Sequence, residues 1–217
     1  DGVPAETAAV VPGALTTAHL LLHRFGRVRD GDNVVVHSAS GAVGSAVAQL
    51  ASLLKDVRLV GIVGSINRIA PALTAGYEAA FARSPGFASQ IRRVLGERGA
   101  DLVFDPQGTD SLDEDLALLA PSGRIVLFGN ASGSPLQPLP PTGALYRGNA
   151  SIGGFSLELL SREDPLVVRE AMSNVLDLIA RGPLNPQVTV VNGLAATASA
   201  QQRLADGLGE GKYVVRV

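Results

Sequence analysis

Three observations predict an α/β fold in which helices cover both faces of a mostly parallel sheet. Strand-like and helix-like runs alternate along most of the 217 residues. The strand-like runs, such as Asn33–Ser38, Val57–Val63 and Leu102–Phe104, are short and dominated by apolar residues. The first of them passes through a small-residue turn, Ala39-Ser40-Gly41-Ala42-Val43-Gly44, straight into an apolar helical stretch. Together they specify a Rossmann-type, doubly wound, six-stranded sheet.

The elements follow in order. Residues 5–25 place Ala8, Val11, Leu15, Ala18, Leu22 and Phe25 at helical spacing, with Pro12 kinking or restarting the helix. Arg29-Asp30-Gly31-Asp32 reads as a turn before the first strand, 33–38. A helix over 42–54, a strand over 57–63, a Gly64-Ser65 turn and a short helix to Leu73 come next. A short strand lies within 76–81, and Ser84-Pro85-Gly86 breaks it. Residues 87–95 are helical, 102–104 form a strand, 112–119 a helix and 123–128 a strand closed by Gly129. The Gly-, Pro- and Ser-rich stretch 130–149 reads as a long loop. A strand at 151–155 and an amphipathic helix at 166–179 follow. Residues 187–191, 194–208 and 212–217 close the chain as strand, helix and strand.

Composition narrows the function. Apolar residues make up 46% and charged residues 18%, which is globular and not disordered. A net charge of −2 with no Lys/Arg cluster argues against a nucleic-acid partner. Absence of cysteine excludes disulfides and thiolate-held zinc from this chain, and no metal site is expected. No run reaches 18 uninterrupted apolar residues and no signal-peptide pattern opens the chain, so no membrane association and a cytoplasmic location are expected.

The glycine-bearing turn is a dinucleotide-binding pattern. Gly41 lets backbone approach a pyrophosphate, and Gly44 removes a side chain where helix and strand pack closest. Ser40 and the free N–H groups of Ala42, Val43 and Gly44 offer donors at a positive helix end. Ala39 stands where the tight-turn glycine usually lies, and a methyl fits there if φ stays negative. An ordinary strand-helix turn is the plainer alternative. The tip of the second strand, Gly61-Ile62-Val63-Gly64-Ser65-Ile66-Asn67-Arg68, carries no acid for a ribose diol. Gly64 and Ser65, with Arg68 as a bidentate partner, suit a 2′-phosphate, which favours NADP(H) over NAD(H). Arg68 equally reads as a solvent-facing helix residue.

Phe128, Gly129 and Asn130 leave a strand at its carboxyl end, where ligands of open sheets bind, and a polar surface turn is the alternative. Gln107 is a candidate cofactor neighbour, while Asp105 equally caps its own turn. His19 and His23 share a helix face, but two ligands make no zinc site. His37, inside the first strand, is expected to be packed and hydrogen-bonded. Neither a GxSxG elbow nor a Tyr-x-x-x-Lys pair is present, and no catalytic residue is assigned.

Taken together, several segments make the chain resemble the medium-chain dehydrogenase/reductase superfamily, within it the zinc-independent quinone oxidoreductase and polyketide enoylreductase branch. They are Leu15–His23, Gly31–Gly44, Leu119–Gly129, Ile152–Leu157 and Gly211–Val217. The first position of the turn is commonly alanine in that branch. The resemblance implies hydride transfer to an enone, quinone or enoyl thioester, so a small molecule or acyl thioester is the expected substrate. It also implies Thr17 near the nicotinamide, Ser65 and Arg68 at the 2′-phosphate, and Asn130 in the nicotinamide loop. His19 stands where relatives often have Tyr. Residues 1–28 become a linking helix, 29–182 the dinucleotide-binding domain and 183–217 a tail that in relatives packs on the catalytic domain. A GroES-like domain precedes this point in the family and is absent here, so a partner chain or domain is expected to supply it. A homodimer through the sheet edge near 150–156 is implied as well. A non-catalytic nucleotide-binding or structural domain that associates with another polypeptide is the alternative.

Overall fold

The computed structural model describes residues 2–139, 141–206, 208–209 and 212–217. Gly207, inside the expected last helix, and Gly211, which opens the terminal-strand match, lie outside the described residues.

The N-terminal helical segment is wound in pieces. Helix α1 (Ala5–Ala8) is followed by a π-helical turn over Val11–Leu15, helix α2 (Thr16–Leu20) and a second π-helical turn over Leu21–Phe25. Pro12 sits in the first turn of the π segment, where its missing N–H costs no bond, so the helix restarts there instead of continuing. By length and composition residues 5–25 pass for a membrane span at a mean hydropathy of 1.2, but half of that window is buried against the body of the protein.

Strand β1 (Asn33–His37) leads through the glycine-bearing turn into α3 (Ala42–Ala51). Then come β2 (Arg58–Val63), a 3-10 turn (Ile66–Arg68), α4 (Ile69–Ala75), β3 (Ala79–Ala82), α5 (Phe87–Leu95), β4 (Ala100–Asp105), α6 (Leu112–Leu118) and β5 (Leu119–Leu127). Helix α7 (Thr142–Gly148) precedes β6 (Ser151–Gly154), and α8 (Leu157–Glu163) and α9 (Pro165–Ala180) follow. The tail is β7 (Val188–Asn192), a 3-10 turn (Leu194–Ala196), α10 (Thr197–Ala205) and β8 (Lys212–Arg216).

The six strands β3-β2-β1-β4-β5-β6 form one sheet, as the sequence predicts, and every pairing in it is parallel where a mostly parallel sheet was expected. All five residues of β1 are buried because both faces of the strand are covered. Val34 and Val36 pack with Leu21, Leu22, Val47 and Leu50 on one face. Val35 packs with Ile91 and Leu118 on the other. Strand order reverses between β1 and β4, which places a crevice at their carboxyl ends.

Three expectations need correcting. Residues 130–149 are not loop throughout: α7 occupies Thr142–Gly148, closed by Asn149 in the left-handed region and by Ala150 N–H donating to Leu145 O at 3.0 Å. Asn149 takes the place of the glycine that usually marks such a stop. Strand β5 starts four residues before Gly123, because Pro121 and Ser122 (φ +65°) form an irregularity where the register to β4 shifts. Helix α8 was not anticipated; Ser156 caps it by accepting from Leu159 N–H, and Asp164 caps α9 by accepting from Val167 N–H.

β7 and β8 pair in parallel as a separate two-stranded sheet. Arg216 of β8 reaches back to Glu6 of α1, and Arg68 donates to Gly209 O at 3.0 Å, so the tail touches both the N-terminal segment and the main domain.

Candidate functional site

The glycine-bearing turn is built by close contact. A Cβ on Gly44 would lie 2.5 Å from the carbonyl oxygens of both Ser38 and Ala39, so only glycine lets α3 begin this near β1. Gly61 plays the matching part in β2, where a Cβ would meet the Ala39 methyl at 2.7 Å. The buried Tyr77 hydroxyl donates to Gly44 O at 2.8 Å and fixes the start of the helix from the far side. Ala39 is fully buried without a positive φ, so its methyl is accommodated. The strained residue is its neighbour Ser38, at φ +55°. Ser38 O accepts from Gly41 N–H at 2.8 Å, and Ala39 N–H donates to Ile62 O at 3.1 Å. Helix α3 points its free N–H groups into the mouth of the β1–β4 crevice.

Arg68 does not face solvent. It arches from the 3-10 turn onto the turn after β1, donating from Nε to Ser40 Oγ and from Nη2 to Ser40 O, each at 3.1 Å. Gly64 and Ser65 are exposed at the tip of β2, and Ser65 O accepts from Arg68 N–H at 3.0 Å. The structure thus gathers Ser40, Gly41, Ala42, Val43, Gly44, Gly64, Ser65 and Arg68 at one end of the crevice.

At the other end the turns after β4 and β5 meet. Asp105 Oδ1 accepts from Gln107 N–H at 2.6 Å, so the aspartate does cap its own turn. Gln107 Nε2 donates to Ser38 Oγ at 2.9 Å, a bond that crosses the crevice. A Cβ on Gly129 would press on Pro106 O at 3.0 Å, and Phe128 N–H donates to Asp105 O at 2.9 Å. Asn130 spends its amide on its own loop, donating to Ser134 O at 3.0 Å. Thr17 is half-buried on α2, which packs against α3 and α9; no hydrogen bond among the described residues ties it to the turn.

A cavity of about 510 Å3 opens beside this crevice, in the groove between α3 and α4. It shares Ser40, Ala42 and Arg68 with the turn and is otherwise walled by residues such as Ala46, Pro71 and Lys212.

Beneath the crevice, on the face covered by α5 and α6, lies a polar cluster that local sequence patterns did not reveal. His37 Nε2 and Asp115 Oδ1 are 2.7 Å apart, and His37 Nδ1 lies 3.9 Å from Asp105 Oδ1. All three residues are at most 1% exposed. Burial pushes Asp115 up to about 7 and Asp105 up to about 6, and it pushes His37 down to about 4. The Phe87 ring closes on the imidazole edge-on, with centroids 5.6 Å apart. Seventy-eight residues separate His37 from Asp115, so no sequence spacing signals the pair. The other two histidines, His19 and His23, lie with ring centroids 4.6 Å apart and planes tilted by 53°, beside Arg24 and Glu170; burial first, then His23, pushes His19 down to about 4.

A parallel sheet with this strand order, a glycine-permitted helix start and an arginine over the turn define the dinucleotide-binding class of α/β proteins. The sequence profile of the zinc-binding dehydrogenase family matches residues 42–181, and the chain belongs to that family, a branch of the medium-chain dehydrogenase/reductases. It is similar to a synaptic vesicle membrane protein VAT-1 homolog of Danio rerio, 27% identical over 99% of this chain and 47% of that protein. A mycocerosic acid synthase-like polyketide synthase of Mycobacterium tuberculosis is 31% identical over 100% of this chain and 10% of that protein. Among solved structures, mycobacterial Rv1454c complexed with NADPH matches at a TM-score of 0.87 and 29% identity, over 100% of this chain and 66% of that one. The quinone oxidoreductase of Pseudomonas syringae pv. Tomato matches at 0.85 and 26%, with the same coverage. The chain spans about half the length of the VAT-1 relatives it matches.

Two outcomes are expected. Gly44→Ala forces a methyl against two backbone oxygens and lowers stability by about 1–3 kcal/mol, read as a fall in the denaturation midpoint; an unchanged midpoint would refute the close approach. Asp115, held above its ordinary 3.8, binds its proton more tightly folded than unfolded, so its contribution to stability declines as pH rises from about 4 to about 7. His37 acts in the opposite sense below about 6.5 but is present in both proteins compared. Asp115→Asn removes the decline, and its melting temperature relative to the parent rises between pH 5 and pH 8. A difference independent of pH would contradict the raised carboxyl.

Proposed function

We propose that the chain is the NADPH-binding domain of a zinc-independent oxidoreductase that delivers hydride to an enone, a quinone or an enoyl thioester. The observation that carries this reading is Arg68 folded over the turn after β1 from an acid-free β2 tip. A guanidinium there favours a 2′-phosphate, and no carboxylate in Gly61–Arg68 competes for a ribose diol. The tight turn that Gly41 and Gly44 permit against Ser38 and Ala39 suits backbone approach to a pyrophosphate. Ser40 and the amides of Ala42, Val43 and Gly44 would hold that group, Ser65 and Arg68 the 2′-phosphate, and Thr17, Gln107, Phe128, Gly129 and Asn130 the nicotinamide end. When bound, NADPH supplies the hydride; the chain supplies binding, orientation and a fixed electrostatic surrounding. The NADPH-bound relative and the polyketide synthase relative support the cofactor and the acyl-thioester class of substrate.

Residues 1–28 read as the link to a substrate-binding half, 29–182 as the dinucleotide domain and 183–217 as the tail. Exposed Ile66 and Leu136 at the carboxyl edge of the sheet support a covering GroES-like domain or chain that excludes water from the crevice.

Calorimetric titration is expected to show NADPH bound well ahead of NADH. Arg68→Ala then weakens NADPH by about 1.5–3 kcal/mol more than it weakens NADH; equal losses for both would sink the phosphate assignment. Strand β6 is one of the two edge strands of the sheet, and its pairing with a second copy near 150–156 predicts a dimer mass by light scattering. A monomer at high micromolar concentration would rule that out.

A further inference from the structure

The buried cluster under the crevice carries more than packing. Among the described residues, His37 Nδ1 and the Nε and Nη2 of Arg83 are buried there without a hydrogen-bond partner, and the Asp105 and Asp115 carboxyls, whose Oδ2 atoms are otherwise unpartnered, hydrogen-bond each other. Unpaired buried polar atoms are costly, and a sheet core built only for stability would fill the space with apolar side chains. The four residues come from four elements. His37 ends β1, Asp105 ends β4, Asp115 lies on α6, and Arg83 follows β3, its backbone N–H donating to Val63 O at 2.8 Å. The guanidinium of Arg83 acts on both Asp115 and His37. Glu114, beside Asp115 on α6, turns away to accept from Gly86 and Ala88 N–H at the start of α5. Helix α5 adds the Phe87 ring and no charged group to the cluster.

The cluster is joined to the crevice through one residue on each side. Asp105 uses its Oδ1 to hold Gln107 N–H, and Gln107 uses its side chain to hold Ser38 Oγ. Ser38 directly follows His37 and has the left-handed backbone on which the turn depends. A non-glycine residue in that region persists only where its surroundings over-determine it. Here the restraint comes from the backbone bonds of Ser38 and Ala39 and from the Gln107 tether.

We infer that Asp115 is a positioning residue for the dinucleotide crevice, acting through His37 and Asp105 on the Gln107–Ser38 bond that spans it. Asp115 orients the imidazole and hydrogen-bonds the Asp105 carboxyl, the imidazole packs beside Asp105 at 3.9 Å, and Asp105 sets the Gln107 turn. A divalent cation is a poorer occupant of the same donors, because Arg83 already faces them and His37 and Asp115 are in direct hydrogen-bond contact.

The inference rests on the NADPH reading, so its test separates the two. NADPH affinity is measured by calorimetry for the parent protein, Asp115→Ala and Asp115→Asn, and the Gln107 backbone amide resonance is followed by NMR from pH 5 to pH 8. Asp115→Ala is expected to weaken NADPH roughly three- to tenfold, with Asp115→Asn, whose amide still hydrogen-bonds His37, close to the parent. The Gln107 amide is expected to titrate in the parent and to lose or shift that transition in Asp115→Asn. Should Asp115→Ala fail to fold, the amide titration of Asp115→Asn decides alone. Parent protein that binds no NADPH would sink the functional reading and this inference with it. Parent protein that binds, with unchanged affinity in Asp115→Ala or an unmoved Gln107 transition in Asp115→Asn, would overturn the inference and leave the functional reading standing. One equivalent of a divalent ion by elemental analysis, lost in Asp115→Ala, would also overturn it.

Discussion

Everything at this site depends on how closely α3 approaches β1. The absence of a side chain at Gly44 leaves the carbonyls of Ser38 and Ala39 where a methyl would sit 2.5 Å away. That contact sets where the helix begins and hence where its free N–H groups point. Gly61, Ala39 and Tyr77 complete a seam of small residues and one anchoring hydroxyl, so that β1, β2 and α3 meet without a gap. The turn after β1 is then closed from above by Arg68 and tied across the crevice by Gln107. A binding surface made of backbone has to be held from outside, since backbone groups cannot repack; here each holder comes from a different strand end.

Much of this was legible in the residues. Alternation of strand and helix, together with doubly buried strands, is a signal that few other folds share, and it located all six strands of the main sheet. The glycine pattern marked the turn because close approach demands the absence of a side chain. An acid-free β2 tip followed by Arg68 marked the phosphate end of the crevice for a similarly local reason.

What was not legible is long-range or locally disguised. Helix α7 is masked by the Gly, Pro and Ser that surround it and is ended by Asn149 in place of glycine. Ser38 carries the positive φ that the pattern would assign to a glycine position, because its own bonds to Gly41 and Gln107 and the neighbouring Ala39–Ile62 bond stabilise it. Asp115 looks like an ordinary acid in the first turn of an amphipathic helix until the fold brings it to His37. Thr17 was assigned by resemblance alone, and α2 places it against α3 and α9 with no hydrogen bond to the turn among the described residues.

The central claim is that the mouth of the β1–β4 crevice, and not the neighbouring α3–α4 cavity, receives the dinucleotide. Backbone amide shifts followed by NMR during NADPH addition test it most directly. The account predicts the largest changes at Gly41–Gly44 and Gly64–Arg68, with Gln49, Thr74 and Gln187 nearly still. Changes centred on Gln49, Thr74 and Gln187, which line the α3–α4 cavity, would contradict it.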